Sequence, residues 1–500
     1  MKYSKLLIAP CILMSWLASA QPNFIVQPYL QNPKTDGMSI SLEINEQDVQ
    51  LHYRKKGTEQ AFTTLSMNTV TSTTNIYRAQ IQGLNSNTRY EYYVSTEKGD
   101  SEVWGFKTWP TVNDDQETIK IIVFSDSQGQ HASRLADMVK NGMIPNNCNN
   151  DVTTCDDEIA AILVPGDLVQ TGSDVNQWRN DFFGTAAQIF ARVPIIPAIG
   201  NHDYSLTHFQ NYFDLPDNNS DYPEQWYSFD YLNLRIITLN SNTSTNSTLE
   251  KQQRVWLDTL LADTETNTQL DYVMMQIHHP CKSELWLPGE KDLTCQYVKK
   301  FENISAQTGK ITGHLFGHTH AYSRGQSRDV SHLWLNAAVS SGDIDYWDEY
   351  QMYDYDEFQK SYPEFGYSLL EFGVKQQSMH VKRYSGGDGI NQYWGYQGEG
   401  IRDDFVVGGE NVNPEQPTAI APNGSVVDGA FSLVASEFAD ADNDSHLESH
   451  WQVSSDPTFN TVALDFWGNK TRSENIWRYE NTQAGVALNT YDVDNTLPTG

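Results

Sequence analysis

Positive charge is what this sequence lacks most. Its 33 Lys and Arg stand against 64 Asp and Glu, a formal net charge of −31 over 500 residues. A nucleic-acid backbone or an anionic membrane surface repels such a chain, so neither is expected as its main partner. A small anionic substrate is not excluded, because it responds to the local field of a site. Long apolar runs are missing too: beyond the N-terminal segment none approaches the ~20 residues that cross a bilayer, and no membrane span is expected. Cysteine is sparse, at 5, and no C-x2-C spacing occurs, which argues against metal thiolates. Tandem repeats and low-complexity tracts are absent. Aromatic residues, by contrast, are plentiful. With 13 Trp, 26 Tyr, 20 Phe and 39% hydrophobic residues, the chain is too apolar to be disordered. At ~100–200 residues per domain, its length predicts two or three domains.

Residues 1–20 read as an export signal. Lys2 and Lys5 lead into the apolar run Leu6 to Leu17, and Ala18-Ser19-Ala20 forms an A-x-A cleavage site. The mature chain is therefore expected to be secreted, periplasmic or extracellular. Cys11 lies in the removed segment, leaving Cys148, Cys155, Cys281 and Cys295. An even count in an exported chain indicates disulfides, with three possible connectivities. The pairing 148–155 and 281–295 closes the shortest loops and is the expected one, against crossed bridges or reduced thiols.

The fold class reads as multidomain. Residues 23–110 consist of short alternating runs such as Met38–Leu42, Tyr77–Ile81 and Tyr90–Val94, which predict an N-terminal β-sandwich. Gly83 to Tyr90 resembles the L-x-P-x-T-x-Y corner of fibronectin type III domains, with Asn85-Ser86-Asn87 in place of x-P-x. Residues 119–384 alternate apolar strands with helical periodicity. Strands are predicted at Ile119–Phe124, Ala160–Val164, Pro194–Ile199, Leu234–Leu239, Tyr272–Ile277 and Ile311–Phe316. Ser247-x-x-Glu250 is a capping box opening a helix whose apolar face carries Leu249, Trp256, Leu257, Leu260 and Leu261. Such alternation means a central α/β domain with helices covering sheets. Residues 385–414 are Gly-rich and expected to be a linker. Residues 415–500 return to β-type patterning and resemble an immunoglobulin- or fibronectin-like module, expected to be truncated because the chain stops at Leu497-Pro498-Thr499-Gly500.

Five motifs sit at the C-terminal ends of predicted strands, where α/β sheets place site residues. They are Ser125-Asp126-Ser127-Gln128, Gly166-Asp167-Leu168, Gly200-Asn201-His202-Asp203, His278-His279-Pro280 and Gly317-His318-Thr319-His320. Carboxylates, a carboxamide and imidazoles together suit Zn, Fe, Mn or Mg. Any one motif alone is common. The ordered set resembles the calcineurin-like metallophosphoesterase superfamily, and with the preceding fibronectin-like domain the chain resembles its purple acid phosphatase branch.

That resemblance implies an α-β-β-α sandwich holding two divalent or mixed-valence metal ions. Asp167 would bridge them, Asp126 and His320 would complete the first site, and Asn201, His278 and His318 the second. His279 would stand outside the coordination sphere. His202 would face the substrate, stabilising phosphoryl oxygens or protonating the leaving group, with Asp203 holding its imidazole. Two dications against two carboxylates would leave the site positive inside an acidic protein. Two positions depart from the family pattern. The usual D-x-H is here Asp126-Ser127-Gln128, so Gln128 either ligates through oxygen, favouring Mn or Mg, or cedes the place to water. The tyrosine that colours purple acid phosphatases is replaced by Gln170, so the protein should not be purple.

Weaker signals have plainer readings. Arg324 reads as a loop anchor before a phosphate contact. Asp343 to Phe365 holds eight aromatics and many acids, and is either a substrate-facing lid or a packed loop. Asp440 to Asp444 alternates oxygen ligands but lacks the Gly and Glu of a calcium loop, so it reads as an acidic turn.

The expected function is a secreted hydrolase of phosphomonoesters, acting on a small phosphorylated substrate by attack of a metal-activated hydroxide. A phosphodiesterase or nucleotide hydrolase would use the same ligands. A non-catalytic protein whose β-modules contact polysaccharide or another surface is the reading from a different class.

Overall fold

The computed structural model describes residues 21–129, 132–218, 220–388, 400–409, 412–424, 429–442, 446, 448–468, 476–478, 480–481 and 487–493. The export segment expected at 1–20, and the final residues on which truncation was read, lie outside them.

From Phe24 to Lys107 the chain builds two antiparallel sheets. One orders Phe24–Gln31, Met38–Ile44, Ile76–Ile81 and Asn68–Thr69; the other is centred on Gln50–Lys55 and Arg89–Thr96. Ile40, Leu42, Leu51, Tyr92, Val94 and Phe106 meet in one core between them. This is the period-two burial that the alternating runs predict. The Tyr90 hydroxyl accepts the Asn85 amide at 3.0 Å, closing the corner noted in the sequence. The unit is tied to the central domain by buried polar contacts. Arg179 Nε donates to Glu43 at 2.9 Å, and the Tyr92 hydroxyl donates to the Ala191 carbonyl at 2.8 Å.

The central domain is built on two mixed sheets. The first orders Ile195–Pro197, Ala161–Val164, Thr118–Val123, Phe365–Gly373, Ser378–Gly387 and Ile401–Gly408. The second orders Tyr227–Tyr231, Leu234–Thr238, Tyr272–Gln276, Ile311–Phe316, His332–Ala337, Tyr322–Gln326 and Phe358–Tyr362, then two short strands from near the C-terminus. Ile121, Ile162 and Ile196 of the first share a core with Ile236, Met274 and Leu335 of the second. The alternate residues Ile237, Val273 and Met275 point the other way. They pack beneath the helices Thr248–Thr266 and Asp292–Thr308 through Leu257, Leu261, Tyr297 and Phe301. Strands buried on both faces read as continuous apolar runs, which is why the predicted strands fall where they do. The N-cap half of the capping box forms, Ser247 Oγ accepting the Glu250 amide at 3.1 Å, while the Glu250 carboxylate accepts the Asn246 amide, one residue before the cap, at 3.2 Å.

One sequence expectation needs correcting. The 385–414 stretch is not a linker throughout, because Ile401–Gly408 pairs antiparallel with Ser378–Gly387 as the outermost strand of the first sheet. Its pattern is obscured by a buried charge. Asp403 is neutralised by Arg324 at 2.5 Å and Lys360 at 3.1 Å, and accepts the Tyr322 hydroxyl at 2.9 Å. The same contacts give Arg324 its anchoring role. Both expected disulfides are present, Cys148–Cys155 and Cys281–Cys295.

Beyond residue 415 the described chain is again β. Ala419–Ala421, Phe431–Ala435 and Thr490–Val493 form one antiparallel sheet, and His450–Val453 pairs with Leu464–Trp467. In the acidic turn the Asp442 amide donates to Asp440 Oδ1 at 2.8 Å; residues 443–445 lie outside the described residues. No helix among the described residues is long and apolar enough to cross a membrane.

Candidate metal centre

Five strands from the two sheets end at one rim, and the five motifs are the turns that follow them. The backbone there is forced into uncommon conformations. Asp126, Asp167 and His318 have φ of 55°, 51° and 69°, the left-handed region that side chains larger than glycine rarely adopt. Such conformations persist where the surroundings over-determine them, and they cluster at functional sites. The neighbouring glycines are fixed by close approach. A Cβ on Gly200 would lie 2.0 Å from Asp167 Oδ1, and one on Gly317 would lie 2.2 Å from Asp126 Oδ2. The turns therefore lock two carboxylates inward.

Asp167 sits at the centre, 1% exposed. Its Oδ2 is 3.2 Å from His278 Nε2, and Asn201 Oδ1 is 2.9 Å from the same nitrogen. Ligand atoms of Asp167, His278 and His318 all lie within 4.8 Å of one another. His278 Nδ1 meets the Pro165 carbonyl at 3.0 Å, so its proton points there and Nε2 is turned to the cluster. Burial raises the Asp167 carboxyl, but the facing His278 imidazole overrides it and holds the group down at about 2. Burial likewise lowers His278, and Asp167 overrides it to about 9. His318 is pushed to about 2 by burial and by its histidine neighbours, leaving a neutral imidazole.

On the other side of Asp167 stand Asp126, Gln128 and His320. His320 Nε2 lies 3.4 Å from Asp126 Oδ1, while its Nδ1 is engaged by the Asp343 carbonyl. Gln128 Nε2 is 3.0 Å from His320 Nε2 and 3.3 Å from Asp167 Oδ2. Its Oε1 is buried with no hydrogen-bond partner, although buried carbonyl oxygens nearly always have one. The amide thus turns its nitrogen toward Asp167 and His320; with the amide turned over, Oε1 would join a set of carboxylate oxygens and imidazole nitrogens that suits divalent metals.

All seven expected ligand residues are thus gathered in one cluster. His202 lies at its edge: its Nε2 is 4.0 Å from Asp167 Oδ2 and its side chain is 35% exposed. Asp203 does not hold that ring. It turns inward to accept the amides of Leu168 at 2.9 Å, Val169 at 3.1 Å and Gly200 at 3.0 Å. Burial and the nearby Asp167 charge raise Asp203 to about 7, against those three amides, which favour its ionised form. Its work is to pin the bridging-carboxylate turn to the His202 turn. The His202 ring is held by Gln170 instead, at Nδ1, which either donates to the Gln170 carbonyl at 2.8 Å or accepts the Gln170 side-chain amide at 2.9 Å, according to the tautomer.

Residues 119–322 match the sequence profile of the calcineurin-like phosphoesterases. The chain carries a calcineurin-like metallophosphoesterase domain. Two uncharacterised proteins from two strains of Mycobacterium tuberculosis are each 25% identical over 227 residues, 41% of this chain and 42% of theirs. The chain thus spans about two fifths of the length of the curated relatives it matches. Among solved structures, a purple acid phosphatase from yellow lupin (Lupinus luteus) seeds superposes with a TM-score of 0.58 at 16% identity, covering 78% of this chain and 74% of that one. PhoD superposes with a TM-score of 0.57 at 11% identity, covering 80% of this chain and 91% of that chain. These likenesses are of fold.

The metallophosphoesterase domain has site neighbours that the sequence reading missed. Trp286 packs its ring 4.8 Å from that of His318. Asp345 accepts the His320 amide at 2.8 Å, and Ser241 Oγ meets His279 Nδ1 at 2.7 Å, which places His279 behind the cluster. No local motif marks these residues; only the fold brings them to the rim. The aromatic segment divides. Phe358, Tyr362 and Phe365 are buried in strands, whereas Tyr350 is 42% exposed beside Trp286.

Proposed function

We propose that this protein is an exported, dinuclear-metal phosphohydrolase that cleaves phosphomonoesters. The observation that carries the reading is the convergence of Asp126, Gln128, Asp167, Asn201, His278, His318 and His320, with Asp167 facing both halves of the set. Asp126, Gln128 and His320 would hold one ion and Asn201, His278 and His318 the other, with Asp167 shared between them. When bound, two such cations neutralise phosphoryl charge and lower the pKa of water to give a nucleophile near neutral pH.

The chain's own residues do the rest. With Nδ1 accepting the Gln170 side-chain amide, the proton of the neutral His202 ring sits on Nε2, turned toward the space in front of Asp167. From there the ring donates to a phosphoryl oxygen or to the departing alkoxide. Asp203 keeps the two turns in register through backbone amides. Export is supported by the two disulfides, which persist in oxidising compartments. The N-terminal sheets are read as a fibronectin III-like module. Mn, Fe, Zn and Mg all suit the donor set, and the oxygen of Gln128 tilts the first position toward the harder Mn or Mg.

Turnover of p-nitrophenyl phosphate against its bis ester tests the reading. The expected result is a clear preference for the monoester by protein with two metals bound. Preference for the bis ester would replace phosphomonoesterase by phosphodiesterase; no turnover of either would contradict the enzyme assignment.

A further inference from the structure

We propose that Trp286 and Tyr350 form an aromatic subsite beside the metal centre, selecting phosphomonoesters whose alcohol carries a planar aromatic group. Nucleoside monophosphates and aryl phosphates share that chemistry. The inference rests on the phosphohydrolase reading and adds a substrate class to it.

Continuity with the site comes first. The Trp286 ring lies 4.8 Å from His318, tilted by 37°, and the Tyr350 ring lies 5.6 Å beyond Trp286. An ester whose phosphorus sits in front of Asp167 and His318 therefore extends its alcohol past an aromatic wall. Tyr350 presents the open part of that wall, being 42% exposed. Stacking on such a face is a sequence-tolerant way of holding any flat ring, and a tyrosine pays little entropy for it.

The wall is braced, unlike an incidental surface tyrosine. Trp286 sits in the loop closed by Cys281–Cys295. Gly289 packs beneath it: a Cβ there would lie 2.7 Å from the Trp286 ring and 3.2 Å from that of His318. This loop is laced to the Tyr350 segment by backbone bonds, Leu287 amide to Gln351 carbonyl at 3.0 Å and Tyr353 amide to Glu284 carbonyl at 3.1 Å. Ser283 Oγ meets Thr319 Oγ1 at 2.7 Å, tying the loop to the His318–His320 turn. The two rings are thus set in place relative to the ligand histidine before any substrate arrives, which lowers the cost of binding.

Charge narrows the class. Residues 343–359 contain seven carboxylates and no Lys or Arg; Lys282 and Arg478 pair with two of them, Glu357 and Asp348, and the segment stays net negative. A further phosphate on the substrate would meet that surface and be repelled, whereas a neutral ring would not. A single phosphate with an uncharged aromatic alcohol fits both features.

The test is kcat/KM for adenosine 5′-monophosphate, phenyl phosphate and glycerol 1-phosphate, with metal content measured in each preparation. Parent, Tyr350→Ala and Tyr350→Phe are compared. Tyr350→Ala is expected to lower kcat/KM for an aromatic ester on the order of tenfold more than for glycerol 1-phosphate, chiefly through KM, and Tyr350→Phe to restore it. A selective loss confined to the nucleotide assigns the subsite to a base set off by ribose; one confined to phenyl phosphate assigns it to a ring on the ester oxygen. Either outcome upholds the subsite. Equal effects on all three esters, or none, overturn it. If metal-loaded parent turns over no ester, the hydrolase reading falls by itself. Calorimetry with adenosine then decides the subsite, upheld by binding lost in Tyr350→Ala and overturned by no binding.

Discussion

His202 stands between two residues of opposite fate. Asn201 points to the His278 side of the cluster and Asp203 is buried beneath the turn, so His202 alone projects to the open side. Positioned acid catalysis is worth ~10²–10⁴-fold in rate. His202→Ala is accordingly expected to retain both metals and lose on the order of 10²-fold or more in kcat. A smaller loss on aryl than on alkyl phosphates would mark the group as the general acid, and equal losses would mark it as a stabiliser of phosphoryl charge. Loss of metal would show it to be a ligand. The residues gathered at the rim are legible in the sequence because each follows a strand and carries its chemistry in a short motif. The partners of His202 are not. Adjacency suggested Asp203, but a carboxylate flanked by free backbone amides is drawn to them, and Gln170 reaches the ring from a different turn.

Elements were legible where burial and chemistry agree. Ile311–Phe316 is legible residue for residue, its Ile311, Leu315 and Phe316 lying between Gly309 and Gly317 in a strand buried on both faces. The Ile401–Gly408 strand was missed because its inward residue is Asp403, whose partners Arg324 and Lys360 come from other strands. The Ile311–Phe316 and His332–Ala337 pair also conceals a pH response. His332 Nδ1 meets Thr312 Oγ1 at 2.7 Å and its Nε2 meets His314 Nδ1 at 3.1 Å, with Phe316 and Trp334 packed against His314. Burial lowers His332 from 6.5 to about 3, and burial together with His332 lowers His314 well below its ordinary value. Below pH 6.5 the unfolded chain takes up protons that the folded chain refuses, so stability falls as pH drops toward 3. His332 alone contributes about 2 kcal/mol of loss between pH 7 and pH 5. Denaturant unfolding at both pH values should show that His332→Gln, though less stable at pH 7, loses less than the parent on acidification. Equal losses would contradict this account of the pair.

The whole molecule sets an acidic surface against a site proposed to take phosphate. With a net charge of −31, long-range attraction of an anion is unavailable, and only a concentrated local charge reverses the sign. Two dications over Asp126 and Asp167 would do so within one Debye length of the substrate. The two sheets would supply the proposed ligands from opposite sides: Asp126, Asp167 and Asn201 from the first, His278, His318 and His320 from the second. Metal occupancy and the packing of the two sheets are therefore one problem, with Asp167 at the seam. The direct measurement is metal content per chain, by elemental analysis of purified parent and Asp167→Asn protein. The account predicts two ions per chain in the parent and loss of both, with nearly all turnover, in the variant; an Asp167→Asn protein that keeps two tightly bound ions would contradict it.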